Sequence, residues 1–421
     1  MTPVRRTTAA VAASAVLGMA VVAAAAPAAF AAPAPKPSPS TVLPSGLYGT
    51  TDPAYDGVWR QSLALLAQDT VKVKPATKAV DWLTGQQCAS GAFPSYRADA
   101  TKPCDAKLPL DSNATAAAVQ ALAALGGQDA TVKKSVAWLK SVQNADGGWG
   151  YNPGGASDAN STSVVIGALA SVGEKPAAVK AKSGKSPYDA LLTFAKPCTG
   201  KDVGAFVFQV KQPGIVADST AAGVLGALGK GLAVEGPKPV APAACAAGAT
   251  PEQAAQNGAA YLVSALEKTG HLDSAPMPGA ENPAPQPDFG NTADAVTALS
   301  AAGHFDQAAD TMTWLEKNSA AWAKASGPAA YAQLILAAHA FGADPQKFGG
   351  ADLVQQLNAT GPAPQASGAE KSESSGSSGS SDASEKDGKD DSGIGVWWIV
   401  GAFFVASVGV GILFSGRRKK Q

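Results

Sequence analysis

Four short stretches carry side chains that could do chemistry: Asn113-Ala114-Thr115, Asn160-Ser161-Thr162, Asp218-Ser219-Thr220 and Asn291-Thr292. Each sets an Asn or Asp close before a Thr, at the start of a run rich in Ala, Leu and Val. Neutral Asn and Thr offer hydrogen bonds without the desolvation cost of a charge. At a helix start they also stand beside free backbone N–H groups and the positive end of the helix dipole, which favour anionic or acceptor-rich ligands. Asp111 and Asp158 add carboxylates just upstream, and Tyr151 follows a Gly-rich turn beside Asn152-Pro153-Gly154-Gly155. Together these types suit an amide- or hydroxyl-rich small molecule. They are equally ordinary helix N-caps, stabilising a helix by about 1 kcal/mol wherever they occur. Which role they play depends on the elements that carry them.

Those elements repeat. An apolar helix with an aromatic near its end runs into a Gln, a Gly-rich turn and an aromatic; a loop follows, then a second, more apolar helix that ends at Gly. Copies run from Ala79 through Gln87 and Phe93 to Gly126, and from Val136 through Gln143 and Trp149 to Gly173. Two more run from Leu191 past Phe206 to Asp218-Ser219-Thr220, and from Ala260 to Gly303. Helical pairs at this period bury their apolar faces only against neighbours. Apolar periodicity predicts inner helices starting near Asp56, Asn113, Asn160, Asp218, Thr292 and Gly327. It predicts outer ones over 76–87, 130–143, 187–196, 251–268, 305–318 and 344–358. The inner series is apolar nearly all round, as in Ala116-Ala117-Ala118-Val119-Gln120-Ala121-Leu122, and must be buried on most sides. The outer series shows Lys, Asp and Glu on one face. Six and six in alternation predict an all-α fold, an α6/α6 toroid, with the four polar stretches meeting at one mouth; a two-layer solenoid is the alternative.

The spacing Gln143-x-x-x-Gly147-x-Trp149 resembles the QW signature of squalene–hopene cyclases, and Gln87-x-x-x-Gly91-x-Phe93 is a variant of it. Residues 42–360 thereby resemble the terpenoid cyclase/protein prenyltransferase toroid superfamily. Within it, a triterpene cyclase needs a DxDD acid and a cage of aromatic faces. The matching places read Asp111-Ser112-Asn113-Ala114, Asp158-Ala159-Asn160-Ser161 and Ala217-Asp218-Ser219-Thr220, without paired carboxylates. The helices from Asn113, Asn160, Asp218 and Thr292 hold no aromatic. A prenyltransferase needs zinc on Asp, Cys and His, but His271, His304 and His339 are scattered and no Cys lies on an inner helix. Complement-like thioester domains need a Gly-Cys-Gly-Glu-Gln site, which is absent. The chain then resembles the non-catalytic branch, the α-domain of transcobalamin and intrinsic factor. That resemblance implies a corrinoid seated at the mouth as transported ligand, with no cofactor and no metal. It departs from the animal proteins in having no strand-rich segment to cover the ligand.

The ends place the domain. Arg5 and Arg6 precede an apolar stretch and Ala29-Phe30-Ala31, so 1–31 reads as a secretory signal peptide. A Pro-rich segment occupies 32–44, the toroid 45–360, and a Ser/Gly/Asp/Lys linker without core-forming residues 361–392. Residues 393–415 read as a transmembrane helix, with Trp397 and Trp398 at its edge, and 416–421 as a basic cytoplasmic tail. These features imply a single-pass cell-membrane protein with its main domain extracellular. Lys plus Arg equals Asp plus Glu at 33 each, which argues against nucleic acid as partner. Four cysteines on the exported side argue for disulfides, with three connectivities possible. Cys88–Cys104 with Cys198–Cys245 is favoured because each would staple a loop between an outer helix and its inner partner. Trp149 reads as a tie within its turn, and the Pro-rich loop 273–289, with Met277, Glu281 and Asp288, as a lid.

The expectation is a membrane-anchored toroid that binds a small polar ligand, a corrinoid first, for uptake without catalysis. The site would comprise Asn113, Thr115, Tyr151, Asp158, Asn160, Thr162, Asp218, Thr220, Asn291 and Thr292, and uptake implies a membrane transporter as partner. The alternatives are an enzyme on an exported glycan or isoprenoid, using carboxylates such as Asp99, Asp111, Asp158 and Asp218, and a protein-interaction module whose central hole is filled.

Overall fold

The computed structural model describes residues 43–248, 250–274 and 285–366. The expected signal segment, transmembrane helix and basic tail, most of the linker, and Met277 and Glu281 of the loop lie outside the described residues. Among the described residues no helix is long and apolar enough to cross a membrane, and β-structure is limited to isolated bridges.

Six inner helices form a closed ring: α1 (Gly57–Thr70), α3 (Ser112–Leu125), α5 (Ala159–Ser171), α7 (Val216–Ala227), α9 (Phe289–Ala301) and α12 (Pro328–Phe341). Each packs on the next, and α12 packs back on α1. An outer helix backs each one: α2 (Thr77–Gly85), α4 (Asp129–Ser141), α6 (Pro187–Leu191), α8 (Pro251–Leu266), α10 (Phe305–Asn318) and α13 (Leu353–Asn358). A short α11 (Ala320–Ser326) links α10 to α12. This is the α/α toroid that the two alternating series require, and the contact of α12 with α1 excludes the open solenoid.

Two outer helices are shorter than their periodicity predicts. The predicted 344–358 helix splits into a 3-10 turn at Pro345–Lys347 and α13. Gly349 and Gly350 lie between them in the left-handed region, at φ 55° and 86°, where a helix cannot continue. α6 ends at Leu191 and tightens into a 3-10 turn at Leu192–Phe194.

Several inner helices begin earlier than predicted. Asp111 is the N-cap of α3 and accepts from the backbone N–H groups of Asn113 and Ala114 at 2.8 and 2.9 Å. Asp158 caps α5 through Ser161 N–H at 2.7 Å, and Asp288 caps α9 through Asn291 N–H at 3.0 Å. A carboxylate beats a neutral amide for this role because it also meets the helix dipole. Asn113, Asn160 and Asn291 therefore sit inside the first turn. α7 differs: its N-cap is Ile215, so the carboxylate of Asp218, the third helical residue, is not used as a cap.

The threonines lock the turns to the ring. Thr115, Thr162, Thr220 and Thr292 are fully buried, and their hydroxyls accept from the backbone N–H groups of Phe93, Trp149, Phe206 and Leu272 at 2.9–3.1 Å. Gln61 does the same for Tyr48 at 2.9 Å. This adds a fifth copy of the turn, Gly46-Leu47-Tyr48, in which Gln replaces Thr. At Gly147 the turn needs glycine twice over: φ is 95°, and a Cβ would lie 2.2 Å from the carbonyl oxygen of Ser186. Thr162→Val keeps the shape but orphans the buried N–H of Trp149. We expect it to lower stability by about 1–2 kcal/mol in chemical denaturation; an unchanged midpoint would remove the clamp from this account.

The disulfides are Cys88–Cys104 and Cys198–Cys245. The first staples the loop from α2 to α3 as expected. The second reaches further, tying the α6–α7 loop to the segment between α7 and α8. The ring is sewn shut where α1 meets α12. Gly49 N–H donates to Thr360 O at 2.8 Å, the Gln68 amide to Asn358 Oδ1 at 2.7 Å, and Gln365 N–H to Lys74 O at 2.9 Å.

Candidate functional site

The turn clamps put the inner helices in register. Two residues before each clamping side chain stand Trp59, Asn113, Asn160, Asp218 and Gly290, one per helix. One helical turn further in stand Leu63, Ala117, Val164, Ala222 and Asp294. On α12, Gln333 belongs with this second layer, since its amide donates to both Asp294 oxygens at 2.9 and 3.0 Å. Trp59, Asn113, Asn160, Val164, Asp218, Ala222, Asn291 and Asp294 keep partial exposure, while the residues beyond them are buried until the last turns. The ring is thus plugged by Ala, Leu, Val and Ile through most of its depth. At the helix N-termini it presents these partly exposed, mostly polar side chains, a face termed the dish.

The dish is acidic and holds protons. Burial pushes the Asp158 carboxyl up to about 7, and the charge of Asp218 pushes the same way. Burial raises Asp218 to about 6 against the opposing Asn160 hydrogen bond, with Asp288 adding repulsion. Asp294 is raised to about 7, first by burial, with Asp218 and Asp288 adding repulsion while Gln333 opposes. Asp111 and Asp288 are raised too, again mainly by burial. These carboxyls sense one another across the ring. Among the described residues, however, no three His, Cys, Asp or Glu are placed to share a metal ion.

Of the candidate residues, Asn160 and Asp218 are brought together, with Asn160 Nδ2 donating to Asp218 Oδ2 at 2.8 Å. Asn113 lies on the same layer. Asn291 Nδ2 turns back to Asp288 Oδ2 at 2.7 Å. Asp158 is fully buried, bonded to the backbone and hydroxyl of Ser161. Tyr151 sits beside the entrance to α3: its hydroxyl is 3.3 Å from Ser95 Oγ, which donates to Asp111 Oδ2 at 3.0 Å. Burial and then the charge of Asp111 raise its pKa, so the phenol stays neutral. Thr115, Thr162, Thr220 and Thr292 lie beneath the dish with their hydroxyls engaged by the turns. The backbone N–H groups expected to be free for a ligand at Asn113, Ala114, Ser161 and Asn291 are taken by the capping carboxylates.

Three residues of the dish escape a reading by motif: Trp59, Asp294 and Gln333. The signal for Asp294 was a lone carboxylate within an otherwise apolar inner helix, a position that is costly without a purpose. The dish also contains polar atoms that are buried and have no partner: Asn113 Oδ1, Asn160 Oδ1, Gln333 Oε1 and Trp59 Nε1.

A closed double ring of helices, with five of the inner ones clamped to the turn that precedes them, defines an α/α toroid. Residues 58–196 match the prenyltransferase alpha-alpha toroid domain. Similar solved structures include a protein from Actinoplanes, 14% identical, covering 71% of this chain and 94% of its own, with a TM-score of 0.45. The type II terpene cyclase MstE from Scytonema is also 14% identical, covering 65% of this chain and 73% of its own, with a TM-score of 0.42. No curated protein matches the chain.

Proposed function

We propose that this protein is a secreted, membrane-anchored receptor that captures a small polar ligand in the dish for uptake and does not transform it. The observation that carries the reading is the set of buried, unpartnered polar atoms on Asn113, Asn160, Gln333 and Trp59. Such atoms are costly in a folded protein and are usually satisfied by water or a ligand. A corrinoid, with its fringe of amides, is the leading ligand by resemblance to the α-domain of transcobalamin and intrinsic factor. The signal-like sequence of 1–31, the apolar run of 393–415 and the two disulfides support the reading of an extracellular domain on a membrane tether, and a membrane transporter would receive the ligand.

Tryptophan fluorescence of the protein, titrated with cobalamin and cobinamide, tests this. Corrins absorb where Trp emits, and Trp59 stands in the dish, so saturable quenching that weakens in Trp59→Phe is the expected result. Asn160→Ala with Asp218→Ala should weaken binding at least about tenfold with helicity intact. Unchanged affinity would sink the dish as the site.

The second reading is an enzyme acting on an exported glycan or isoprenoid. It draws on the Asp294 and Asp158 carboxyls, which stay partly protonated near neutral pH and so could act as acids. Turnover of such a substrate that is abolished by Asp294→Asn would favour it.

A further inference from the structure

The unsatisfied atoms of the dish are nearly all of one kind. Asn113 Oδ1, Asn160 Oδ1 and Gln333 Oε1 are acceptors, and Trp59 Nε1 is the one donor among the four. Gln333 is 6% exposed, and its amide nitrogen is fully occupied by Asp294 and the carbonyl of Gly290. Its oxygen is therefore left facing its surroundings with nothing to accept from. Asn160 is half-buried, with one N–H of its amide given to Asp218 and its oxygen likewise unpartnered. Around these acceptors stand Asp218 and Asp294. At the starts of α3, α5 and α9 the backbone N–H groups that would have attracted an anion are engaged by Asp111, Asp158 and Asp288.

We infer that the ligand group entering the dish is a multiple hydrogen-bond donor, a primary amide or a guanidinium or ammonium group, and that carboxylate and phosphate groups are excluded. The inference rests on the capture reading and names the chemistry of the group captured. A donor group satisfies the three amide oxygens and shares protons with the carboxyls. An anionic group meets three acceptors and the like charge of Asp218 and Asp294, against which the dish sets only the Trp59 indole N–H, the Asn113 amide and the uncapped start of α7. Among the described residues no three carboxyls, His or Cys are placed to share one ion, which favours an organic donor over a divalent metal.

The test is calorimetric titration of the full-length chain in detergent with three small probes of similar size: methylguanidinium, propionamide and propionate. The pH is held above the range in which the dish carboxyls titrate. Two larger probes share one ring system: cobinamide, fringed by amides, and cobyrinic acid, fringed by carboxylates. We expect saturable binding of methylguanidinium and propionamide and none of propionate. Cobinamide should bind at least about tenfold more tightly than cobyrinic acid. Asp294→Asn should weaken methylguanidinium by about tenfold or more, and Gln333→Met should weaken both donor probes, each with unchanged helicity at the assay temperature. Propionate binding as well as the donors, or no saturable binding by either donor, overturns the inference. If the donors bind and cobinamide does not, the inference stands and the corrinoid falls. If cobinamide and cobyrinic acid bind equally, capture stands and the donor requirement falls.

Discussion

Trp149→Ala is expected to lower the unfolding free energy by about 3–5 kcal/mol. The indole is 1% exposed and packs among Ala116, Val119, Leu139, Val165 and Leu169. Its ring N–H donates to Leu139 O at 2.8 Å, its backbone N–H to Thr162, and its carbonyl accepts from Asp158 N–H at 3.0 Å. Truncation leaves a cavity in the second core cluster and strands the carbonyl of Leu139. Trp149→Phe refills most of the volume and loses one hydrogen bond, so it should cost only about 1–2 kcal/mol. Equilibrium denaturation of the three proteins checks the order. A cost below about 1 kcal/mol for the alanine variant would mean that the turn does not hold α4 to α5.

The second large effect is on pH dependence, and it runs opposite to that of most proteins. In the unfolded chain the dish carboxyls titrate near 3.9; in the fold Asp158 and Asp294 titrate near 7 and Asp218 near 6. The folded state therefore binds protons that the unfolded state releases. By linkage, this stabilisation is complete below the unfolded value and is lost as pH rises through the folded ones. Between pH 6 and 8 the loss should be roughly 2–3 kcal/mol, allowing for the water that reaches the dish. His304 and His339, held low by burial, pull the other way, but mainly under acidic conditions. The melting temperature should thus be higher at pH 6 than at pH 8, and Asp294→Asn should flatten the difference. Equal or greater stability at the higher pH would show that the carboxyls are already ionised.

The ring was legible because burial on all sides leaves a mark no other helix carries. Runs such as Ala116–Leu122 could only be inner helices, and Phe305–Asn318 could only be an outer one. The Gly147 turn was legible for a similar reason, since it combines a backbone requirement with an aromatic anchor. The dish was half legible. Asn160 and Asp218 were found from the helix starts, but Asp111 or Asn113, and Asp158 or Asn160, are all capping types, and only three-dimensional geometry says which one caps. The first repeat was missed because Gln61 replaces the expected Thr. Gln333 left no local pattern and Asp294 only that of a lone carboxylate in an apolar helix, because each makes sense only through the other, 39 positions apart in the chain.

The seam joining Gly49 to Thr360 and Lys74 to Gln365 makes the order of the repeats arbitrary. Topologically the domain is a circle with one nick, and nothing in its packing requires the nick to lie between α12 and α1. Joining the two ends with a short linker and reopening the chain after the exposed Gly173 would give a circular permutant with the same neighbours for every helix. Its start and finish would lie across the ring from the native pair.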